Sequence, residues 1–232
     1  MTTGVLFLHG FTGGPYEVEP FVDYIKKKTE WEVVVPTLTG HGTVLDLEKK
    51  EARAERWISE AIVHYRRLAR RVDRVIIVGF SMGGLLAIYL AAHFPTDRLV
   101  LLSAAAQYVN VPQLAEDLWI KAQGKSIASL PQRLHRAYDY KLTHTPPRAI
   151  VQFLRVWSYV KKFYKKVNAP VLLVHGTKDA VVPIEASYEL FERLGSKEKQ
   201  LIIAEGSKHH VCYSEKREQW FQEAFQFMQK ND

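Results

Sequence analysis

The residue of this sequence that most clearly indicates chemistry is a serine in a glycine-rich segment. The segment VGFSMGG places Ser81 between Gly79 and Gly83 in the pattern G-x-S-x-G, after a run of Val and Ile residues and before a helical pattern. At a sharp turn from strand to helix a serine hydroxyl is exposed, and the glycines avoid clashes with neighbouring elements. A glycine-rich turn with a serine at the helix N-cap would leave the same pattern. The strand before the segment and the helix after it favour a nucleophile.

A serine hydroxyl needs a base to take its proton, and the base needs a carboxylate to orient it. Asp179 lies in the loop after the apolar run PVLLVHG, and His209 and His210 lie in the loop GSKHHVCYS after the next apolar run. The chain order serine, acid, histidine is the one expected when the serine occupies such a turn. Position in the loop does not choose between the two histidines. Cys212 is a rival nucleophile, but it lacks a comparable turn, and we interpret it as a small loop residue.

A serine nucleophile also requires N–H donors for the negative oxygen of a tetrahedral intermediate. The N–H of Met82 is next to Ser81 in the sequence, and the N–H of Phe11 lies in the glycine-rich loop HGFTGGP after the first apolar run. Glycines let the backbone of that loop pass close to a substrate. We therefore predict that Phe11 and Met82 supply an oxyanion hole.

Six short runs rich in Val, Ile and Leu predict the strands that position these residues. The runs are residues 4–10, 32–38, 74–80, 98–104, 170–176 and 200–206. Several are continuously apolar, as in parallel strands that helices cover on both faces. Helical patterns separate most of them, at residues 16–28, 54–72, 82–94, 185–194 and 215–230. This alternation predicts an α/β fold with a doubly wound, mostly parallel six-stranded sheet.

A long connection between the fourth and fifth runs breaks the alternation and predicts an insertion. It is too long for a plain loop, and its patterns predict helices at residues 112–123, 130–140 and 147–166. We interpret residues 105–167 as a helical cap, with residues 1–104 and 168–232 forming the core. In the last predicted helix four apolar residues share one face, and we predict that they line a substrate pocket: Ile150, Leu154, Trp157 and Val160.

Composition limits the classes of protein that this sequence can encode. The chain has 232 residues, a net charge of +7 and one cysteine, Cys212. One cysteine excludes an intrachain disulfide and suits a reducing compartment, so we expect a cytoplasmic location. The N-terminal run is short and leads into a turn, which indicates a strand and not a signal peptide, and no apolar run is long enough for a membrane helix. We interpret the positive charge as a solvated surface and expect no nucleic-acid partner.

The motifs together resemble the α/β-hydrolase family, and within it the small bacterial carboxylesterases and monoacylglycerol lipases with a helical cap. The resemblance covers FLHGFTGGP, LTGHG, GFSMGG, APVLLVHGTKDAVVP and SKHHV, in that order along nearly the whole chain. It implies that Ser81 is the nucleophile, Asp179 the acid, and Phe11 and Met82 the oxyanion donors. In similar esterases the catalytic histidine precedes a small apolar residue, as His210 precedes Val211. The resemblance therefore implies His210 as the base, with His209 directed to solvent or to the loop.

These residues predict a serine hydrolase that cleaves carboxylic esters through an acyl-enzyme, without a metal or other cofactor. We expect a small-molecule ester with a short or medium acyl chain, or a monoacylglycerol. A thioesterase, an amidase and a C–C bond hydrolase use the same residues and remain alternatives. A ligand-binding protein without activity is an alternative of another class, which turnover of a chromogenic ester would exclude.

Overall fold

The computed structural model describes residues 1–106 and 145–230. Six strands form one parallel sheet in the order β2-β1-β3-β4-β5-β6. The strands are β1 (Thr3–Leu8), β2 (Glu32–Val34), β3 (Arg74–Phe80), β4 (Arg98–Leu102), β5 (Val171–Gly176) and β6 (Lys199–Ala204). The predicted α/β class and six-stranded parallel sheet are confirmed.

Helices cover both faces of the sheet because alternate side chains of each strand point to opposite sides. In β1, Leu6 and Leu8 belong to one buried cluster, and Val5 and Phe7 belong to the other. The described helices are α1 (Glu19–Lys28), α2 (Ala54–Ala69), α3 (Met82–His93), α4 (Pro147–Val160), α5 (Glu185–Arg193) and α6 (Arg217–Gln229). Helices α2 to α5 contribute to the first cluster, and α1 and α6 contribute to the second. Among the described helices, none combines the length and the apolar character that a membrane span requires.

Strand β2 is shorter than the sequence predicted. The expected strand covered residues 32–38, but its pairing with β1 ends at Val34. Pro36 follows two residues later and has no N–H to donate to a neighbouring strand. Leu38 turns its N–H to His9 Nε2, at 3.1 Å. The residues after β2 therefore support the loop that follows β1.

The third predicted helix of the cap is present, but its buried face differs from the predicted one. It consists of α4 and a 3₁₀ helix, Lys161–Lys166. The side chains that α4 buries are Ala149, Phe153, Val156 and Val160. Of the predicted stripe, Val160 packs into the core, and Leu154 and Trp157 are only partly buried against it. The predicted helices at residues 112–123 and 130–140 lie outside the described residues, and the division into core and cap stays a prediction.

Candidate active site

Ser81 lies at a sharp turn between β3 and α3. Its backbone has φ 52° and ψ −117°, a conformation that L-residues rarely adopt. A Cβ at Gly83 would lie 2.0 Å from the Leu8 carbonyl oxygen, and one at Gly79 would lie 2.4 Å from the Gly83 oxygen. Both positions therefore require glycine. The Ser81 N–H donates to the Leu102 carbonyl at 3.0 Å, which attaches the turn to β4.

Asp179 follows β5 and is held by the backbone of its own loop. Its Oδ1 accepts hydrogen bonds from the N–H groups of Val181 and Val182, at 2.8 and 2.9 Å. Burial by itself raises the pKa of this carboxyl, but His209 beside it and the Val182 N–H outweigh burial, and the pKa is lowered. The carboxylate is therefore kept ionised with Oδ2 free of these backbone bonds.

His209 joins the acid to the serine. Its Nδ1 lies 2.8 Å from Asp179 Oδ2, and its Nε2 lies 3.1 Å from Ser81 Oγ. If Nδ1–H donates to the carboxylate, Nε2 is left as an acceptor for the serine proton, which is the arrangement that a general base needs.

The sequence-based choice of His210 over His209 is wrong by one residue. His210 Nε2 lies 3.4 Å from Glu17 Oε1, on another side of the loop from Ser81. Adjacent side chains of an extended loop point in different directions, so only one of the pair can reach the serine. The expectation that His209 is directed to solvent or to the loop also differs from the structure, because His209 is largely buried and contacts Asp179 and Ser81. Burial lowers the pKa of His210, while Glu17 acts to raise it.

The two predicted oxyanion donors lie at the expected places in the fold. Met82 is the first residue of α3, where an N–H has no acceptor within its own helix. Phe11 lies in the loop after β1, and among the described residues no acceptor for its N–H is found. Their role stays a prediction that this placement supports.

His9 anchors the loop that contains Phe11. Its Nε2 accepts the Leu38 N–H at 3.1 Å, so the ring proton is on Nδ1, which lies 2.9 Å from the Gly10 carbonyl oxygen. The Gly10 N–H donates to Glu17 Oε2 at 2.8 Å. Both polar groups of Gly10 are therefore held immediately before Phe11.

Three aromatic side chains pack near Phe11 of this loop, and one of them, Phe153, was not predicted from the sequence. Phe153 of α4 stacks on Phe11 with ring centroids 5.3 Å apart. The other two are Trp57 and His41, whose ring centroids lie 6.1 and 6.0 Å from that of Phe11. Phe153 belongs to a helical repeat with Ala149, Val156 and Val160, and the sequence spacing of this repeat is as regular as that of the predicted stripe.

His41 and His175 are buried neutral histidines that support the site's loops. Burial, and then the neighbouring His9, lower the pKa of His41 to about 3. His175 Nε2 lies 2.9 Å from the Val182 carbonyl oxygen and 3.4 Å from Asp179 Oδ2, so it borders the acid. Burial lowers the pKa of His175 as well. Within the described residues, no group of three His, Cys, Asp or Glu side chains could hold a metal ion.

Comparison with known proteins identifies the family of this chain. The sequence model of the family described as serine aminopeptidase, S33, matches residues 2–217. The chain belongs to this α/β-hydrolase family. It is 28% identical over 215 residues to a thermostable monoacylglycerol lipase of Bacillus sp. (strain H-257), covering 89% of this chain and 82% of the relative. It is 22% identical over 236 residues to a carboxylesterase of Bacillus subtilis (strain 168), covering 98% of this chain and 93% of that relative.

A solved structure is similar to this chain over nearly its whole length. It belongs to work on LipS and LipT, two lipolytic enzymes derived from a metagenome, and it superposes with a TM-score of 0.78 at 26% identity. The match covers 99% of this chain and 94% of the other. The recognition of a hydrolase of the esterase and lipase type from sequence motifs is confirmed.

Proposed function

We propose that this member of the family is a serine hydrolase of carboxylic esters, with Ser81 as nucleophile, His209 as base and Asp179 as orienting acid. The observation that carries the proposal is the continuous pair of contacts from Asp179 through His209 to Ser81, at 2.8 and 3.1 Å. The relatives named monoacylglycerol lipase and carboxylesterase support an ester as the substrate.

Acylation follows from this geometry. Ser81 Oγ attacks the ester carbonyl carbon while His209 Nε2 takes its proton, and Asp179 stabilises the imidazolium that forms. The N–H groups of Phe11 and Met82 stabilise the oxyanion. When the intermediate collapses, His209 gives its proton to the leaving alcohol, and the acyl group stays on Ser81 as an ester.

Deacylation repeats the same steps with water. His209 takes a proton from a water molecule as its oxygen attacks the acyl carbon, and a second oxyanion forms in the same place. Collapse breaks the bond to Ser81 Oγ, which receives the proton from His209. The products are one alcohol and one carboxylic acid, and no other reactant is consumed.

The substrate class that we propose is an ester with an apolar acyl group, such as a monoacylglycerol. The Phe11 ring, with Phe153 stacked on it, makes the neighbourhood of the proposed oxyanion hole aromatic, which suits an acyl chain better than a charged group. An amide substrate is the second candidate, because the matching family is described by an aminopeptidase. A cytoplasmic location is part of the proposal, and the single, buried cysteine supports it.

Turnover of matched substrates tests the proposal. We expect the protein to hydrolyse p-nitrophenyl butyrate much faster than the corresponding p-nitroanilide, and Ser81→Ala to lose both activities. Fluorophosphonate labelling should add one group to the protein and none to Ser81→Ala. Cys212→Ala is the matched control and should label normally, because burial raises the pKa of the Cys212 thiol far above its usual value. Faster hydrolysis of the anilide than of the ester would refute the ester assignment. Labelling that persists in Ser81→Ala would refute Ser81 as the nucleophile.

A further inference from the structure

A buried carboxylate lies against the loop that supplies Phe11. Glu17 is only 2% exposed, and its Oε2 accepts the Gly10 N–H at 2.8 Å. Gly13 packs so closely on this carboxylate that a Cβ at that position would lie 1.8 Å from Glu17 Oε2. Glu17 therefore contacts the loop on both sides of Phe11 and Thr12.

The same 3₁₀ helix that carries Glu17, Pro15–Glu17, also contacts the loop that carries the base. His210 Nε2 lies 3.4 Å from Glu17 Oε1, and the Tyr213 hydroxyl donates to the Tyr16 carbonyl. Because His210 is the direct neighbour of His209, a contact of one fixes the backbone of the other. The loop that carries Phe11 (the oxyanion loop) and the loop that carries His209 are thus attached to each other through two consecutive residues, Tyr16 and Glu17.

The loop between Gly10 and Gly13 needs such support. Thr12 has φ 60°, a left-handed conformation that a non-glycine residue keeps only where its surroundings hold it. Oxyanion stabilisation depends on N–H groups that are fixed before the reaction begins. A buried carboxylate that accepts a backbone N–H and a histidine contact satisfies its own hydrogen-bonding needs while it fixes that loop.

We propose that Glu17 and His210 are positioning residues for the oxyanion hole, and this rests on the proposed function. Glu17 fixes the Gly10–Gly13 backbone so that the Phe11 N–H faces the substrate oxygen. His210 donates from Nε2 to Glu17 and thereby holds the oxyanion loop at a fixed position relative to His209. The second histidine of the pair thus acts through the oxyanion loop and takes no proton from Ser81.

The test uses three apolar variants of the full chain: Glu17→Leu, His210→Leu and the double variant. We expect each single variant to lower kcat for p-nitrophenyl butyrate by about 10- to 100-fold, less than the loss of an oxyanion donor, with little change in KM. The double variant should regain part of the melting temperature, since leucines replace the Glu17–His210 contact while the Gly10 N–H still loses its acceptor, but kcat should stay low. His210→Gln keeps a donor near the Nε2 position and should retain most of kcat. Asp23→Leu, an exposed residue of α1, is the control and should change neither quantity.

Recovery of kcat together with melting temperature in the double variant would overturn the proposal, because the pair would then only stabilise the fold. Full kcat in a folded Glu17→Leu protein would overturn it as well. Turnover by the unaltered protein and its loss in Ser81→Ala decide the proposed function separately. If fluorophosphonate labels the unaltered protein but the protein cleaves no ester, the rates at which the same variants are labelled test the positioning roles of Glu17 and His210. If it does neither, both proposals fail.

Discussion

The rings of His209 and His210 are 5.6 Å apart and almost perpendicular, at 85°. One ring therefore reaches Ser81 while the other reaches Glu17, and Phe80 packs against both, with centroids 5.0 and 5.3 Å away. Two identical side chains, adjacent in sequence, occupy separate environments. The matched substitution of each by glutamine can separate their roles.

His209→Gln should lower kcat for p-nitrophenyl butyrate by on the order of 10⁴-fold or more, because glutamine cannot take the serine proton. His210→Gln should keep most of the activity. The measurement is kcat and KM for both variants at pH 8, with circular dichroism as the check on folding. An active His209→Gln beside an inactive His210→Gln would restore the original sequence-based choice.

Asp179→Asn should lower kcat by about 10⁴-fold while the protein stays folded. The asparagine can still accept the Val181 and Val182 N–H groups through its oxygen, which turns its NH₂ group toward His209 Nδ1. That contact favours the tautomer with the proton on Nε2, which cannot take a proton from Ser81. Glu185→Gln, an exposed change at the start of α5, is the control. Normal turnover by Asp179→Asn would remove Asp179 from the mechanism.

The site could be predicted from the sequence as far as chain order and local motifs define it. Ser81 and Asp179 follow continuous apolar strands, and each strand end brings its loop to the same edge of a parallel sheet. The choice between His209 and His210 depends on the direction of a side chain in an irregular loop. A one-residue shift there reverses the answer, and only the contacts with Asp179 and Glu17 decide it.

The buried face of α4 was missed for a related reason. The residues Ile150, Leu154, Trp157 and Val160 have helical spacing, and so do Ala149, Phe153, Val156 and Val160. Both sets are apolar, so periodicity cannot say which set faces α2 and α3. Glu17 gave no signal at all, because a glutamate near a helix N-terminus usually complements the helix dipole at the surface.

His41 should make the free energy of unfolding fall in acid. The unfolded chain protonates this histidine near its ordinary pKa of 6.5, whereas the folded protein holds it neutral down to about 3. Over that window the unfolded state binds more protons, so stability rises with pH and is lost as the pH falls. Between pH 7 and pH 5 the expected loss from His41 is about 2 kcal/mol.

Urea unfolding at pH 7 and pH 5 measures this loss. His41→Phe keeps an aromatic ring beside Trp57 and removes the proton, so its free energy of unfolding should depend less on pH by that amount. His93→Phe, an exposed histidine of α3, is the control and should keep the full dependence. Equal pH dependence in all three proteins would mean that His41 titrates alike in both states.

Phe153→Ala should alter the preference of the enzyme between short and longer acyl chains. Phe153 is 3% exposed and stacks on Phe11, so its ring supports the Phe11 side chain beside the proposed oxyanion hole. Each buried methylene contributes up to about 0.8 kcal/mol, or roughly fourfold in kcat/KM. The measurement is kcat/KM for p-nitrophenyl acetate, butyrate, hexanoate and octanoate. The gain for each added methylene should be smaller in Phe153→Ala than in the unaltered protein.

Val151→Ala changes an exposed residue of the same helix and should leave the series unchanged. An equal loss for all four esters in Phe153→Ala would mean that the ring only packs α4 onto the core, and that the acyl chain binds elsewhere.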